Sequence, residues 1–463
     1  MSDKSVEGIG DKLQTMFCNY RPYLRTCTRD CSEHGLTMLK GYLLMDTQRN
    51  YVKIAQTMKH SQADGQDLQH FMSDSPWDTE GVFRQVRHDI GQTLNFGGGM
   101  LNFDESGDEC SGHHKAGSSR QYLGREGKVD MGQVGVLSSY YKDGVWLLTD
   151  GELYLPPSWF TPKHPLWADE SERIKVFKRL HIPIDRTFQT KIELAQAQFD
   201  RALASQLDFS VAGADSFYGR DTAFRRYIAS KEKFYMLYML CVPKDTAVWL
   251  KNPMTTVEEK GNLMQTVAQI GEQADFERID VRPCERGMLT YDHAFVNICT
   301  QNLDNPTIFT EEILIIRREN DGSSSFALSN GLCIDHPTLA LWRTQRYFVE
   351  RTIQDTKSEL GFDELQAVKY RAYIHTLALC AMALVFMADI KIDQRKNYVK
   401  QDIVNEELKI PQLPDLSLAN VKELMKAIFP LPQLSKQQAV QKVINTLFKR
   451  VKATRSKFIS NSS

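Results

Sequence analysis

Two short apolar runs, each ending in an aspartate, constrain the fold of this chain more than any other feature of its sequence. Residues 100–104 end at Asp104, and residues 209–215 end at Asp215. Runs of this length and composition are typical of buried strands. An α/β sheet places its functional site at the carboxyl ends of its strands. The two aspartates are therefore predicted to lie at a functional edge, if their strands are neighbours.

The order of the elements around the two runs predicts that the strands are neighbours. A strand at 100–104 is followed by a hairpin of two strands at 133–140 and 145–155. A helix at 188–207, a strand at 209–215, a short helix from about residue 222 and a strand at 234–242 complete the order. Three antiparallel strands followed by helix–strand–helix–strand is the order of a ribonuclease-H-like α/β fold. In that order the first and fourth strands lie side by side. Asp104 and Asp215 are then expected to meet at the topological switch point.

The rest of the chain differs from this central segment in its pattern of apolar and charged residues. Residues 1–92 show helical periodicity without a strand-like run, which predicts a helical module for DNA binding or dimerisation. Thr79 is the predicted N-cap of the last helix in this module. Residues 93–390 form the predicted catalytic α/β domain, interrupted by a β-rich insertion at about 245–330. Residues 391–463 form a helical, basic C-terminal region.

A third acid, Glu350, lies in a helical pattern together with Arg346 and Lys357. Their spacing of i, i+4 and i+11 places all three on one face of a helix. By spacing alone, a solvated face with salt bridges is the more ordinary explanation. The alternative is that Glu350 joins Asp104 and Asp215 in binding two Mg²⁺ ions for phosphodiester chemistry. Mg²⁺ prefers carboxylate and water ligands, and Mn²⁺ can substitute for it.

The motifs around these residues resemble those of the DDE transposases of bacterial insertion sequences, in the branch with a Tyr-x2-Arg-x3-Glu-x6-Lys signature. Arg346, Glu350 and Lys357 match the last three members of this signature at the family spacing. Further matching segments span residues 69–78, 115–122, 127–133, 153–156, 214–219, 361–363 and 375–378. The matches extend from about residue 20 to residue 390, and together they are highly specific.

This resemblance implies an enzyme that cuts DNA at terminal inverted repeats and joins the 3′-hydroxyl ends to target DNA. The residues implied as catalytic and as ligands of two Mg²⁺ ions are Asp104, Asp215 and Glu350. The residues implied to contact DNA phosphates near the site are Arg346, Lys357 and Lys191. A homodimer is expected, because two DNA ends must be joined, and the expected location is the bacterial cytoplasm, in association with the nucleoid.

Two positions depart from the family pattern. Arg343 stands where the signature has Tyr, so the role of that Tyr is either missing or taken by Trp342. Glu105 follows Asp104 where the family usually has a second Asp, and strand alternation should direct it to the opposite face of the sheet. Two alternative functions remain: a domesticated DNA-binding protein without catalysis, and a DDE nuclease that cleaves without joining. The sequence does not decide whether a DNA hairpin intermediate forms.

Charge is concentrated at the end of the chain. The formal net charge is −1, yet residues 435–463 contain seven Lys or Arg and no Asp or Glu. A basic helix is predicted over 436–457, and its proposed DNA-binding residues are Lys449, Arg450 and Lys452. In a chain with these motifs, phosphate binding is a better explanation of the basic helix than membrane binding.

Cysteine usage and hydropathy favour an intracellular protein that is not anchored in a membrane. The nine cysteines are scattered without a CxxC pair, which is typical of reduced thiols. The N-terminus lacks the basic and apolar regions of a signal peptide. The longest apolar run, 377–387, is shorter than a membrane span and predicts a buried helix.

Overall fold

The computed structural model describes residues 3–59, 62–124, 126–162, 164–231, 236–254, 263–284, 287–303, 305–364, 367–398 and 417–429. The helices in these ranges are α1 Asp3–Tyr20, α2 Ser32–Leu44, α3 Tyr51–Met58, α4 Gln66–Ser73, α5 Thr79–Gln92, α6 Glu170–Leu180, α7 Lys191–Ala204, α8 Ser216–Gly219, α9 Thr222–Ala229, α10 Val267–Gln273, α11 His336–Gln345, α12 Phe348–Ser358, α13 Tyr370–Tyr398 and α14 Leu418–Ile428. The strands are β1 Gly99–Glu109, β2 Ser119–Leu123, β3 Lys128–Lys142, β4 Val145–Tyr154, β5 Phe209–Ala214, β6 Leu237–Val242, β7 Ala247–Val248, β8 Gln265–Thr266, β9 Glu277–Cys284, β10 Gly287–Gln301, β11 Phe309–Arg318 and β12 Ser324–Ser329.

One large sheet organises the fold. Its strand order is β2-β3-β1-β5-β6-β12-β11-β10-β9, and β4 pairs with β3 on the side that also holds β2. The path β4-β3-β1-β5-β6 has antiparallel hairpin strands followed by parallel β1, β5 and β6. This path confirms the predicted ribonuclease-H-like order, with the first and fourth predicted strands as neighbours. The short strand β2 was not predicted.

The β-rich insertion continues this sheet through β9–β12, while its short strands β7 and β8 pair in a separate two-stranded sheet. Its last strand, β12, pairs antiparallel with β6, and β11, β10 and β9 follow outward. The four strands that the sequence predicted within the insertion correspond to β9–β12. The hydrogen bonds of the sheet therefore connect the insertion directly to the strands that carry the aspartates.

The N-terminal helices pack against the same core as the sheet. Helix α13 contacts α2, α4, α5 and β4, and the buried side chains of all these elements form one hydrophobic cluster. Two of the family-like segments meet here, because the Trp77 ring stacks on His375 at 3.8 Å and Met72 O lies 2.8 Å from His375 Nδ1. The segment 1–92 is helical as expected, while its role as a module stays a prediction.

Two details of the helices differ from the sequence prediction or complete it. The N-cap of α5 is Asp78, not Thr79, because the Asp78 side chain accepts a hydrogen bond from the Gly81 amide and Thr79 is already helical. Residues 370–393 are long and apolar enough to cross a membrane, but 94% of the apolar 18-residue stretch within them is buried inside the protein. The apolar run 377–387 is thus the buried helix that was expected.

The C-terminal region is described only in part. Ser417 caps α14 in a capping box with Asn420. The predicted basic helix over 436–457 lies outside the described residues, and so do Lys449, Arg450 and Lys452.

Candidate functional site

Asp104 and Asp215 occupy equivalent positions on neighbouring parallel strands. The last paired residues of β1 and β5 are Phe103 and Ala214, and each aspartate is the next residue in its chain. Strand β1 does not end at Asp104, as the sequence suggested, but continues to Glu109 because β3 still pairs with it. The site edge is thus the point where the parallel pairing of β1 and β5 stops.

The turn after β5 fixes the Asp215 side chain. Asp215 caps the short helix α8, and its Oδ1 accepts hydrogen bonds from the amides of Phe217 at 2.9 Å and Tyr218 at 3.4 Å. Its Oδ2 accepts no hydrogen bond from the described residues. One carboxylate oxygen therefore orients the side chain, and the other remains available as a hard oxygen ligand.

Arg346 lies between Glu350 on the helix and Asp104 on the strand. The helical pattern breaks at residues 346–347, so Arg346 is the C-cap of α11 and Glu350 lies in the first turn of α12. The Arg346 guanidinium forms an ion pair with Glu350, and its Nη1 lies 4.0 Å from Asp104 Oδ2. The Glu350 side chain is 47% exposed, whereas that of Asp104 is 16% exposed. The guanidinium thus bridges a buried and an exposed carboxylate.

The negative charge of the carboxylates at this edge is poorly compensated by nearby positive charges and hydrogen bonds. Burial of the carboxyl group, followed by the nearby charge of Asp215, raises the pKa of Asp104 to about 7 despite the opposing effect of Arg346. Asn102 and Ser106 flank Asp104 on the same face of β1, and their buried polar side chains have no hydrogen-bond partner among the described residues. Oxygen donors with too little positive charge around them suit a hard cation such as Mg²⁺.

The three acids are not arranged as a ready metal cage. Within the described ranges, no three His, Cys, Asp or Glu side chains are grouped closely enough to hold a metal ion. Arg346 contacts both Asp104 and Glu350, so these two acids share a protein cation. Binding of one metal ion by all three acids would therefore require their side chains to move closer together.

The two lysines expected at the site lie on different faces of β1. Lys357 Nζ donates to Asp108 Oδ1 at 2.5 Å, and Asp108 shares a face with Asp104. Lys191 Nζ forms an ion pair with Glu105 Oε2 at 2.9 Å. Glu105 faces away from Asp104, as strand alternation predicts. The structure therefore places Lys357 along the acidic face and Lys191 on the other side of the sheet.

The residues that replace the signature Tyr do not reach the acids. Arg343 is buried and donates from Nη2 to Ser325 Oγ on β12 at 2.9 Å. Burial lowers the pKa of the Arg343 guanidinium. Trp342 packs on an apolar cluster that contains Leu339 and Met100. Tyr347, by contrast, is an exposed aromatic residue between Arg346 and α12.

Tyr218 is a buried residue at the site that residue patterns alone did not single out. Its hydroxyl group has no hydrogen-bond partner among the described residues. Burial, followed by the charges of Glu105, Asp104 and Asp215, raises its pKa well above the ordinary value. The only sequence signal for this residue was its place in the family-like segment 214–219.

Two comparisons with known proteins found similar sequences. The family model described as "DDE superfamily endonuclease" matches residues 22–263, just over half of the chain. The chain is also similar to the "Probable transposase for insertion sequence element IS701" of Microchaete diplosiphon. The two are 24% identical over 307 residues, which cover 66% of this chain and 69% of the relative. The family match includes both aspartates and ends before Glu350.

Proposed function

Because this chain belongs to the DDE superfamily endonucleases, we propose that it is the transposase of an insertion sequence. It would cut DNA at terminal inverted repeats and join the 3′-hydroxyl ends to target DNA. The observation that carries this proposal is the meeting of Asp104 and Asp215 at one sheet edge, with Glu350 linked to it through Arg346. Family membership makes the chain a nuclease-type enzyme; end joining is the proposed part.

We assign the catalytic and metal-binding roles to Asp104, Asp215 and Glu350. The proposed cofactor is a pair of Mg²⁺ ions, for which Mn²⁺ can substitute, and it would activate the attacking hydroxyl and neutralise charge on the scissile phosphate. Asp215 would offer the oxygen that does not cap α8. Asp104 would release its proton on binding, since its raised pKa lies near neutrality.

The basic residues would hold the DNA at different distances from the acids. Arg346 lies at the acids and can exchange its bond to Glu350 for one to a phosphate oxygen. Lys357 lies further along the same face of β1, beside Asp108. Lys191 lies on the other face of β1, with its Nζ 5.4 Å from the centre of the Phe217 ring in the turn after Asp215, and it would contact a phosphate near the site. The tail residues Lys449, Arg450 and Lys452 would bind the duplex outside the site.

The assembly would be a homodimer, with one catalytic edge for each of the two DNA ends. It would act in the bacterial cytoplasm, in association with the nucleoid. We infer the homodimer from the joining reaction, because the enzyme must hold two DNA ends and one target together.

An assay of end cleavage and joining tests the proposal. The purified protein is incubated with a labelled duplex that carries the inverted repeat of its element and with supercoiled target DNA, with and without Mg²⁺. The variants Asp104→Asn and Glu350→Gln are run in parallel. Glu359→Gln is the matched control, because Glu359 lies at the far end of α12 and its side chain bonds to Ser358.

Each outcome assigns a function. Metal-dependent cleavage and joining that both site variants lose, and that the control keeps, would support the transposase. Cleavage without joining would favour the nuclease. Repeat binding without cleavage by the parent protein would favour the catalytically silent DNA-binding protein and would contradict the proposed roles of the acids.

A further inference from the structure

A buried ion pair connects the β-rich insertion to the turn that follows Asp215. Arg225 lies on α9 and Glu312 on β11, and Arg225 Nε is 2.9 Å from Glu312 Oε1. Their side chains are 4% and 1% exposed. Arg225 Nη1 also donates to the carbonyl oxygen of Gly219 at 2.6 Å. One guanidinium thus joins an insertion strand to the last residue of α8.

Glu312 is held by three elements at once. Tyr238 on β6 donates its hydroxyl hydrogen to Glu312 Oε1 at 2.6 Å, and Thr300 on β10 donates to Oε2. Both carboxylate oxygens are therefore bonded, as a buried charge requires. The insertion strands β10 and β11 and the catalytic-sheet strand β6 meet at this one carboxylate.

The turn between Asp215 and Gly219 lies directly on β6. A Cβ atom at position 219 would be 1.9 Å from the carbonyl oxygen of Cys241, so the contact between backbones leaves no space for a side chain. The amides of Phe217 and Tyr218 donate to Asp215 at the start of the turn. Arg225 holds the carbonyl group at its end.

Buried ion pairs rarely stabilise a fold better than apolar side chains of the same volume. An apolar pair, however, could not hold the Gly219 carbonyl in a fixed direction. We propose that Arg225 and Glu312 are positioning residues for Asp215, and that the β-rich insertion supports the catalytic turn through them. This role rests on the proposed function only in so far as Asp215 is catalytic.

Hydrogen exchange at the turn tests this role without any DNA reaction. The double variant Arg225→Met/Glu312→Gln removes both buried charges and keeps a hydrogen-bonding side chain for Tyr238 and Thr300, but it loses the bond to Gly219. The exchange rates of the Phe217 and Tyr218 amides should rise about tenfold or more, because a hydrogen bond to a charged group is lost from the turn. The Mg²⁺ concentration for half-maximal DNA cleavage should rise in parallel.

A second buried ion pair provides the matched control. Arg87 Nη1 and Asp150 Oδ2 are 3.0 Å apart, with side chains 1% and 3% exposed, between α5 and β4. The variant Arg87→Met/Asp150→Asn should leave exchange at residues 217 and 218 unchanged. If both double variants changed exchange at the turn equally, or if neither did, the positioning role would be overturned.

Arg225→Lys is the second variant, for use if the double variant does not fold. A lysine keeps a positive charge beside Glu312 but cannot also reach Gly219, so the same tenfold change is expected. Unchanged exchange in a folded Arg225→Lys protein would contradict the proposal. If the parent protein never cleaved DNA, the proposed function would fail, while the exchange rates would still decide whether Arg225 fixes the turn.

Discussion

Replacing Asp104 by Asn should change how the stability of the metal-free protein depends on pH. Burial, followed by the charge of Asp215, raises the pKa of Asp104 from its ordinary value of 3.8 to about 7. The folded protein therefore binds this proton more tightly than the unfolded chain does. Stability consequently falls as the pH rises from about 4 to about 7, and it stays low above that range.

The size of the effect follows from the two pKa values. A difference between 3.8 and about 7 corresponds to roughly 4 kcal/mol of lost stability at alkaline pH. About 2 kcal/mol of this is already lost near pH 5. Since the side chain is only 16% exposed, solvent screening should reduce these values little. Asparagine has no proton to release, so it does not lose this stability. The free energy of unfolding of Asp104→Asn should therefore rise relative to that of the wild type by about 2–3 kcal/mol between about pH 5 and about pH 8.

Urea unfolding in the presence of a chelator measures this difference. Both proteins are unfolded at each pH, and the free energy of unfolding is obtained by linear extrapolation. Titrating groups far from position 104 are common to both proteins and unchanged, so their contributions cancel. Asp215→Asn removes the second cause of the raised pKa of Asp104. The stability of this variant should therefore depend less on pH than that of the wild type. Parallel pH profiles for the wild type and Asp104→Asn would refute the argument from burial and repulsion.

Changes at the site, beside it and in the tail should have separable effects. Glu350→Gln should abolish metal-dependent cleavage in a gel assay and change the free energy of unfolding by less than about 1 kcal/mol, because the side chain is 47% exposed. Gly219→Ala should lower the free energy of unfolding by about 1–3 kcal/mol, because its Cβ would meet the Cys241 carbonyl oxygen; an unchanged urea midpoint would contradict that contact. Neutralising Lys449, Arg450 and Lys452 together should reduce the slope of log affinity against log salt by roughly 3 in anisotropy titrations; the same slope would show that the tail does not contact DNA.

The sequence predicted the strands that are rich in apolar residues and missed those that are not. β1 and β3–β6, and β9–β12 in the insertion, have runs that the pattern of a buried strand predicts. β2 was missed because only its last residue, Leu123, is buried and the others alternate between half-buried and exposed, so it has no apolar run. The break between α11 and α12 was also missed, since the apolar periodicity continues across Arg346 and Tyr347.

The site was predictable as far as it depends on strand order. That order places Asp104 and Asp215 side by side, and the resemblance to a known signature added Glu350. The pairing partners were not predictable, because they depend on which face of the sheet each helix covers. Lys191 therefore forms an ion pair with Glu105 and not with one of the three candidate acids. Arg343 contacts Ser325. Arg225 and Glu312 are 87 residues apart, and no local pattern connects them.

The topology explains how a long insertion can separate Asp215 from Glu350 by 135 residues without separating them in space. β6 runs parallel to β1 and β5 and ends at the edge of the sheet that holds Asp104 and Asp215, where the insertion begins. β12 returns antiparallel beside β6, so the chain leaves the insertion at the opposite edge of the sheet. Helix α11 then packs through Leu339 on a cluster that contains Met100 and Met239, and Arg346 at its end reaches Asp104. The position of Glu350 thus depends on the antiparallel return of the last insertion strand and not on the length of the insertion.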